Sequence, residues 1–420
     1  GADLNVADMI HGRAVRSPHA HAKIKSINVK KALALPGVKA VITAADFPEL
    51  GPGDIAAGEV TVSFHDMSLN VIARKKALYD GHAIAAVAAT TPEIAARAAE
   101  LIEVEYQVLK PVMTWKQAMD PKAPLLHEGQ ITKGVKPAPE KPSNVAARSE
   151  FALGDLAAGF AEAEVIVEHE FSTETVHQGY IEPHACVASM SADGMATVWA
   201  SSQGQFMVRA YVAKLCGMDI SKIKVIPAEI GGGFGGKTVV YLEPLAGALA
   251  KKSGRPVKMV MTRDEVFRAT GPTSGGHGRC KIGAKKDGTI TAADLEMEYE
   301  AGAFPGSPVM LGCMTGTTPY DIKNMRAVGY DVVVNRPKAA AYRAPGAPVA
   351  AFIVESTMDM LADKLGMCPL ELRLKNAAKE GTKAPYGPKF LAIGYEDTLL
   401  AAKASKHWNT PLGPNQGRGI

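Results

Sequence analysis

Hydrophobic and polar positions in the first part of the chain repeat with the periods of short strands and helices. Residues 83–89 form an uninterrupted apolar run, which predicts a buried strand. Pro92 to Ile102 carries apolar residues at helical spacing, with Thr91 at the N-cap position before a proline in the first turn. Further strands are predicted at 22–27, 38–43 and 102–106, and a short helix at 30–35. These elements predict a compact α+β domain over residues 1–115.

The pattern changes after this domain. Residues 116–150 place five prolines among Lys, Gly and Glu without any period, which is typical of a linker or an extended arm. Residues 151–380 mix strands and helices, which predicts a second, mixed α/β domain. Its predicted strands are 165–171, 186–190, 223–227, 295–300 and 327–333, and its predicted helices are 205–216, 241–252 and 349–365. Residues 381–420 are interrupted by Pro and Gly and are predicted to be a connection toward a further domain.

Composition and charge exclude several classes of protein. The 47 Lys and Arg residues against 43 Asp and Glu leave a net charge of +4, which is too balanced for a dedicated nucleic-acid binder. No apolar run approaches the roughly 18 residues of a membrane span. The five cysteines include no C-x-x-C pair, so local ligands for zinc or an iron–sulfur cluster are missing. Their odd number indicates buried thiols in a reducing compartment.

The densest glycine cluster is Gly231–Thr238, which formally matches the P-loop pattern G-x-x-x-x-G-K-[ST]. In that interpretation backbone N–H groups close on phosphate oxygens, with Lys237 on the phosphates and Thr238 on magnesium. A nucleotide hydrolase also needs an apolar strand that ends in Asp, and residues 257–264 place Thr and Arg before their Asp. A loop that approaches another ligand through its backbone, and a purely structural turn, therefore stay open as alternatives.

Two other segments could carry chemistry. The loop 341–348 contains a single charged residue, Arg343, in a turn stiffened by Pro and Gly. Such an arginine favours contact with an anion or an oxo group, and a solvated surface arginine is the equal alternative. Ser202 and Gln203 follow the predicted strand 198–200. A glutamine there is more often an N-cap or an edge amide than a ligand contact.

Together with their surroundings, these segments resemble the molybdenum-binding subunit of the xanthine dehydrogenase and aldehyde oxidase family, the molybdenum hydroxylases. The first domain is similar to that family's hammerhead domain at 17–24, 35–38, 40–46 and 102–106. The second keeps the family's motif order at Glu182-Pro183, Ser202-Gln203, Gly231–Gly236, Tyr342-Arg343, 365–373 and Asn376. The resemblance covers essentially the whole chain. It implies a hammerhead domain followed by the first molybdopterin-binding domain, and it makes the P-loop match a coincidence.

The resemblance also implies roles for individual residues. Gln203 would hydrogen-bond an oxo ligand of molybdenum, and Arg343 would brace the pterin and oxo side from the opposite loop. The glycines would let the backbone approach the cofactor closely. The pterin dithiolene supplies the sulfur ligands of the metal, so no direct protein ligand is expected. The implied cofactor contacts are Gln203, Gly232, Gly233, Phe234, Gly235 and Arg343, and the implied substrate pocket contains Thr238, Tyr342, Pro345 and Leu311.

The chain also departs from the family's pattern. Thr238 stands where purine-hydroxylating relatives carry a Glu, Pro345 where many members have an aromatic residue, and Val349 where a Gln is usual. Ala344 follows the Tyr-Arg pair, without the cysteine of the carbon monoxide-oxidising branch. Cys368 replaces the common Asp before Pro369, which we interpret as a structural substitution.

The glutamate that acts as the base in this family lies in a glycine-rich loop far downstream, which these 420 residues do not contain. The sequence-based expectation is a fragment or one half of a split molybdenum subunit, inactive as this chain alone. No catalytic residue is therefore nominated in the chain.

The resemblance implies a molybdenum–molybdopterin cofactor, in the cytosine dinucleotide form, and a multi-subunit hydroxylase. Its reaction would be the oxidative hydroxylation of an aldehyde or an aromatic N-heterocycle, with oxygen supplied by water and electrons leaving through iron–sulfur clusters. The expected partners are an iron–sulfur subunit carrying [2Fe-2S] clusters, an FAD subunit and the second half of the molybdenum subunit. A P-loop nucleotide-dependent enzyme is the alternative function. The expected location is the cytoplasm, with export to the periplasm inside a complex as the alternative.

Overall fold

The computed structural model describes residues 1–51, 55–56 and 62–420. The strands are β1 Ile10–Arg16, β2 Ala22–Asn28, β3 Val38–Thr43, β4 Ile55–Ala56, β5 Val62–Ser63, β6 Lys76–Ala77, β7 Ala83–Ala89, β8 Glu103–Val108, β9 Val145–Leu153, β10 Val165–Thr173, β11 Ala185–Met190, β12 Ala196–Ala200, β13 Ile223–Pro227, β14 Val257–Val260, β15 Gly276–Ala284, β16 Ile290–Gly302 and β17 Asn324–Val333.

The helices are α1 Lys30–Ala34, α2 Phe64–Val71, α3 Pro92–Glu100, α4 Trp115–Ala118, α5 Leu156–Ala161, α6 Gln205–Leu215, α7 Glu243–Ser253, α8 Arg263–Ala269, α9 Val309–Thr315, α10 Ala347–Leu365, α11 Pro369–Asn376, α12 Tyr395–Ala404 and α13 Lys406–Asn409. Short 3₁₀ turns lie at Ala44–Asp46 and Ile220–Lys222. Across the described ranges no helix combines the length and the apolar character needed to cross a membrane.

A seven-stranded mixed sheet joins the two sides of the predicted domain boundary. Its order is β13-β12-β11-β14-β1-β7-β3, and β1 runs parallel to β14 with Ile10 opposite Val257. One hydrophobic core therefore contains Ile10 and Ile42 of the first 115 residues together with Val198 and Leu245 of the second part. The first 115 residues contribute β1, β7 and β3 to this sheet, and their strands β6, β2 and β8 form a separate three-stranded sheet. A smaller core that includes Val41, Val87 and Ala98 lies wholly within these residues.

The second large sheet has five strands in the order β10-β15-β16-β17-β9. Helix α10 packs on β10 and β15, and the core between them includes Leu295, Ile353 and Leu361. The sequence predicted α10, β16 and β17. The two strands begin earlier than expected, at residues 290 and 324 instead of 295 and 327. The first residues of both strands mix polar and apolar side chains, so hydrophobic periodicity alone does not mark where pairing starts.

Much of the segment predicted as a linker or extended arm, 116–150, lies against this second sheet. Ala118 and Leu126 are buried with Val332 and Val333 of β17. The side chain of Asn144 accepts a hydrogen bond from the Leu126 backbone N–H at 3.0 Å and donates to the Pro124 carbonyl at 3.0 Å. Strand β9 begins at residue 145, inside the predicted arm. Proline content marks the irregular backbone correctly, whereas the packing depends on the distant strand β17.

Local sequence signals for short elements are confirmed in the first part of the chain. Strand β7 spans Ala83–Ala89 as predicted, and each of its residues is buried. The Thr91 hydroxyl caps α3 by accepting a hydrogen bond from the Ile94 N–H at 3.2 Å, with Pro92 in the first turn. These features depend on neighbours in sequence, which explains why the sequence predicts them.

The N-terminus of helix α11 has no side-chain cap, although the backbone at its N-cap position has a conformation that allows one. Cys368 is the N-cap residue, has extended φ and ψ angles of −61° and 130°, is exposed, and makes no capping hydrogen bond. We expect Cys368→Asp to stabilise the protein by about 0.5–1 kcal/mol, because a carboxylate at this position can accept from the free N–H groups and complement the helix dipole.

Thermal unfolding of the two proteins measures this difference. Cys368→Ala is the matched control, since it removes the thiol without adding an acceptor, and it should leave the midpoint nearly unchanged. If the melting temperature of the Asp variant does not exceed that of the Ala variant, the N–H groups in the first turn of α11 already have other hydrogen-bond partners.

Candidate functional site

Three loops that are distant in sequence meet beside the seven-stranded sheet. The segment after β12 contributes Gln203, the loop between β13 and α7 contributes Phe234, and the loop before α10 contributes Arg343. The Gly235 N–H donates to Gln203 Oε1 at 2.9 Å, and the Arg343 N–H donates to the Phe234 carbonyl at 2.8 Å. The glycine loop therefore lies between the other two and bonds to both.

The amide group of Gln203 is oriented by the protein backbone. Its Oε1 accepts hydrogen bonds from the N–H groups of Gly235, at 2.9 Å, and Lys237, at 3.2 Å. Two N–H donors require the oxygen of the amide on this side, so the NH₂ group points the other way. Among the described residues none accepts a hydrogen bond from this NH₂ group, and the residue is exposed. Gln203 thus presents two oriented donors outside the protein's own network.

The glycine loop has a backbone that other residues could adopt only with strain. Gly232 and Gly235 have φ angles of +96° and +106°, and Phe234 between them has a φ of +53°. A Cβ atom on Gly235 would lie 2.7 Å from the Ala341 carbonyl oxygen. Glycine at 235 therefore permits close approach between this loop and the Arg343 loop. The Phe234 side chain is half exposed, at 51%.

A buried ion pair between Lys237 and Glu182 holds the end of the glycine loop. The Lys237 side chain has no exposed area, and its Nζ lies 2.6 Å from Glu182 Oε2. Burial acts to raise the pKa of the Glu182 carboxyl, but hydrogen bonds from Lys237, Ser201 and the Gly231 N–H outweigh it and lower that pKa to about 2. Glu182 is thus a carboxylate at any pH near neutrality.

This ion pair corrects the P-loop interpretation of Gly231–Thr238. A P-loop lysine must reach phosphate oxygens, whereas the Lys237 ammonium is enclosed and bound to Glu182. The Thr238 hydroxyl donates to the Gly235 carbonyl at 2.8 Å, and α7 begins only at Glu243. The loop therefore does not present Lys237 and Thr238 at a helix N-terminus, which is the arrangement that binds phosphate.

A polar network that the sequence did not point out lies under the glycine loop. The Tyr180 hydroxyl is within 2.6 Å of His184 Nε2 and 3.1 Å of the Thr270 hydroxyl. Burial lowers the pKa of His184 to about 3, so the ring is neutral. The Gln178 amide donates to the carbonyls of Gly271 and Ala341 at 3.1 and 2.9 Å, which links the base of the Arg343 loop to the rest of the protein.

The sequence signals for this network are the run of polar and aromatic residues 177–184, directly before the buried strand β11, and the family motif Glu182-Pro183 inside that run. Such a run is equally typical of an exposed turn, so the pattern could not assign it to a site. The partners that bury it, Thr270 and Ala341, lie far away in sequence.

The predicted substrate-pocket residues lie around the same loops. Tyr342 and Pro345 flank Arg343, and Leu311 of α9 lies against this loop, since a Cβ on Gly346 would come within 3.3 Å of the Leu311 Cβ. Thr238 sits in the glycine loop with its hydroxyl bonded to that loop's own backbone. Their role in binding a substrate stays a prediction.

These groups fit a cofactor that carries oxygen acceptors or negative charge. The outward NH₂ of Gln203 is a donor, and within residues 62–420 and the other described ranges no acidic side chain pairs with the Arg343 guanidinium. An unpaired guanidinium suits oxo and phosphate oxygens. The backbone around Gly233 leaves room only for hydrogen, because a Cβ there would lie 2.6 Å from Gln203 Oε1.

Two family models match this chain. Residues 137–377 match the model described as the molybdopterin cofactor-binding domain. Residues 1–110 match the model described as the a/b hammerhead domain of aldehyde oxidase and xanthine dehydrogenase. The three converging loops all lie within the first of these matches.

Relatives and solved structures agree with the family models. The chain is 34% identical to the carbon monoxide dehydrogenase large chain of Afipia carboxidovorans over 89% of its length, and covers 47% of that protein. It is 31% identical to the nicotinate dehydrogenase large molybdopterin subunit of Eubacterium barkeri, covering 96% of this chain and 90% of that one. The aldehyde oxidoreductase of Desulfovibrio gigas superposes with a TM-score of 0.84 at 29% identity, over 95% of this chain and 43% of that one. The chain thus spans about half the length of several relatives.

The close approach at Gly235 can be tested by mutation. Gly235→Ala should destabilise the protein by about 1–3 kcal/mol, because it combines a positive φ with a Cβ that meets the Ala341 carbonyl. Thermal or urea unfolding measures the change.

Gly129→Ala is the control, since its φ is not positive and its Cβ would meet nothing within 4 Å. That variant should unfold like the wild type. Equal stability of the two variants would show that the glycine loop is free to move away from Ala341.

Proposed function

Because this chain belongs to the xanthine dehydrogenase and aldehyde oxidase family of molybdenum hydroxylases, we propose that it forms one wall of the molybdenum cofactor site in a multi-subunit oxidoreductase. That enzyme would oxidatively hydroxylate an aldehyde or an aromatic N-heterocycle. The observation that carries the proposal is the Gln203 amide, whose oxygen is held by the Gly235 and Lys237 N–H groups so that its donors are available to a ligand.

The bound group would be a molybdenum–molybdopterin, in the cytosine dinucleotide form. When bound, it supplies the metal, the sulfur ligands and the oxygen-transfer and redox chemistry that no side chain can provide. The chain's own residues bind and orient it. Gln203 would donate to an oxo group, and Arg343 would place positive charge beside the bound group. Gly232, Gly233 and Gly235 would hold the loop in the close-packed shape that brings these two side chains together. The half-exposed ring of Phe234 would lie against the bound group.

Partner subunits would complete the enzyme: an iron–sulfur subunit with [2Fe-2S] clusters and an FAD subunit. The catalytic glutamate would come from a second molybdopterin-binding half. Names such as large molybdopterin subunit and large chain among the relatives support a divided enzyme. The five cysteines are all free thiols, which supports a reducing compartment such as the cytoplasm.

The proposed substrate is neutral at its reacting end. Residues 304–319, which precede the Arg343 loop and contain α9 and Leu311, include no charged residue. Thr238 replaces the carboxylate with which purine-hydroxylating relatives hold their substrate, and its hydroxyl is engaged by Gly235. Because Arg343 is assigned to the cofactor, the rest of this pocket offers no fixed counter-charge to a substrate. It therefore cannot offset the desolvation of a charged substrate group, which costs several kcal/mol.

Metal and cofactor analysis of the purified complex tests the proposed function. We expect molybdenum near one atom per copy of this chain, together with a pterin nucleotide released on denaturation. A complex that contains no molybdenum but binds ATP tightly would support the nucleotide-dependent alternative and overturn the proposal.

Steady-state kinetics of the same complex tests the substrate class. We expect kcat/KM for a neutral aldehyde or azine to exceed that for its carboxylate-bearing analogue by at least about tenfold, equivalent to about 1.4 kcal/mol. Nicotinamide against nicotinate is a matched pair, because the same ring carbons can react and only the charge of one substituent differs; a relative is named nicotinate dehydrogenase. Higher kcat/KM for nicotinate or for a purine would contradict the neutral pocket.

A further inference from the structure

Lys237 holds Gln203 through its backbone as well as facing Glu182 with its side chain. The Lys237 N–H donates to Gln203 Oε1 at 3.2 Å, and the Lys237 carbonyl accepts from the Gln203 N–H at 3.0 Å. The same carbonyl accepts from the Ser202 hydroxyl at 3.2 Å. The position of the Lys237 backbone therefore determines where the side chain and the main chain of Gln203 lie.

Glu182 connects that backbone unit to two other parts of the site. Its Oε2 accepts from the Gly231 N–H at 2.8 Å and lies 2.6 Å from Lys237 Nζ. Its Oε1 accepts from the Ser201 hydroxyl at 2.8 Å, at the end of β12. One carboxylate thus joins the beginning of the glycine loop, its end at Lys237, and the strand end that leads to Gln203.

We propose that Glu182 and Lys237 are positioning residues, whose ion pair fixes the Lys237 backbone and thereby directs the NH₂ group of Gln203 toward the cofactor. The inference rests on the proposed function, because it concerns the orientation of a cofactor contact. Neither side chain needs to touch substrate or cofactor for this role. Both act through Gln203.

Removal of one partner and removal of both have different physical consequences. Glu182→Gln leaves the Lys237 ammonium enclosed without a counter-charge. Lys237→Met leaves a carboxylate that is only 16% exposed without its nearest cation. Each single change is therefore strongly destabilising. The double variant Glu182→Gln/Lys237→Met contains neither charge. Its free energy of unfolding should therefore return toward that of the wild type, although the ion pair that holds the Lys237 backbone is still missing.

Glu182→Asp is a milder variant that keeps the charge. Its carboxylate is one methylene shorter, so it cannot reach Lys237 Nζ, Gly231 and Ser201 together. The matched control is the exposed ion pair of Lys379 and Glu396, at 2.8 Å, replaced by Lys379→Met/Glu396→Gln. That pair lies at the surface and makes no contact with the three converging loops, so its loss should change nothing at the site.

The experiment uses the complete purified complex and compares wild type, the double variant, Glu182→Asp and the surface control. Four quantities are measured: the melting temperature, molybdenum per chain, the Mo(V) electron paramagnetic resonance spectrum after partial reduction, and kcat with KM. Hydrogen exchange of peptides covering 231–240 reports on the loop directly. The expected result for the double variant and Glu182→Asp is a melting temperature within a few degrees of wild type, an altered Mo(V) spectrum, and at least tenfold faster loop exchange. The same variants should show a kcat at least about tenfold lower with KM within about twofold.

A wild-type spectrum, kcat and loop exchange in both variants would overturn the positioning role and leave the pair as a stabilising contact alone. The same holds if the double variant fails to recover its melting temperature while Glu182→Asp is indistinguishable from wild type. Failure of the proposed function has a different signature, since the wild-type complex itself would then contain no molybdenum.

Discussion

A lysine ammonium group without any exposed area must have a counter-charge within reach, and the architecture of the site follows from this requirement. Glu182 supplies the charge at 2.6 Å from Lys237 Nζ, and it also accepts hydrogen bonds from the Gly231 N–H and the Ser201 hydroxyl. The glycine loop cannot open without separating that pair. The close turns at Gly232 and Gly235 therefore have a fixed place relative to β12, although no regular element contains them.

The large sheet gives this arrangement a rigid base. Strand β11 pairs with β12 from Cys186 to Met190, and β14 joins β11 to β1 from the first part of the chain. The loops that follow β12 and β13 carry Gln203 and the glycine cluster. Since both strands end at the same edge and run parallel, the two loops meet without any long connection. The Arg343 loop arrives from the second sheet and is bound through the Phe234 carbonyl.

The same glycine pattern can serve two kinds of chemistry. In a P-loop, glycines expose N–H groups to phosphate and the lysine extends to the ligand. In this chain the N–H groups of Gly235 and Lys237 point to a glutamine oxygen, and the lysine is folded inward. What remains outward is the Gln203 amide and the Arg343 guanidinium, a pair of donors suited to oxygen acceptors of a cofactor that brings its own metal ligands.

The sequence by itself determined the local elements and the family. Strand β7, the Thr91 cap of α3 and most of α10 follow from neighbouring residues, because apolar periodicity and capping act over one or two turns. The motifs at Gln203, Gly231–Gly236 and Arg343 also named the three segments that meet. Only the tertiary structure decided that Lys237 points inward and that β1 completes the large sheet. Both depend on contacts between residues separated by 55 to more than 240 positions, and no local pattern encodes which distant partner buries a charge or pairs a strand.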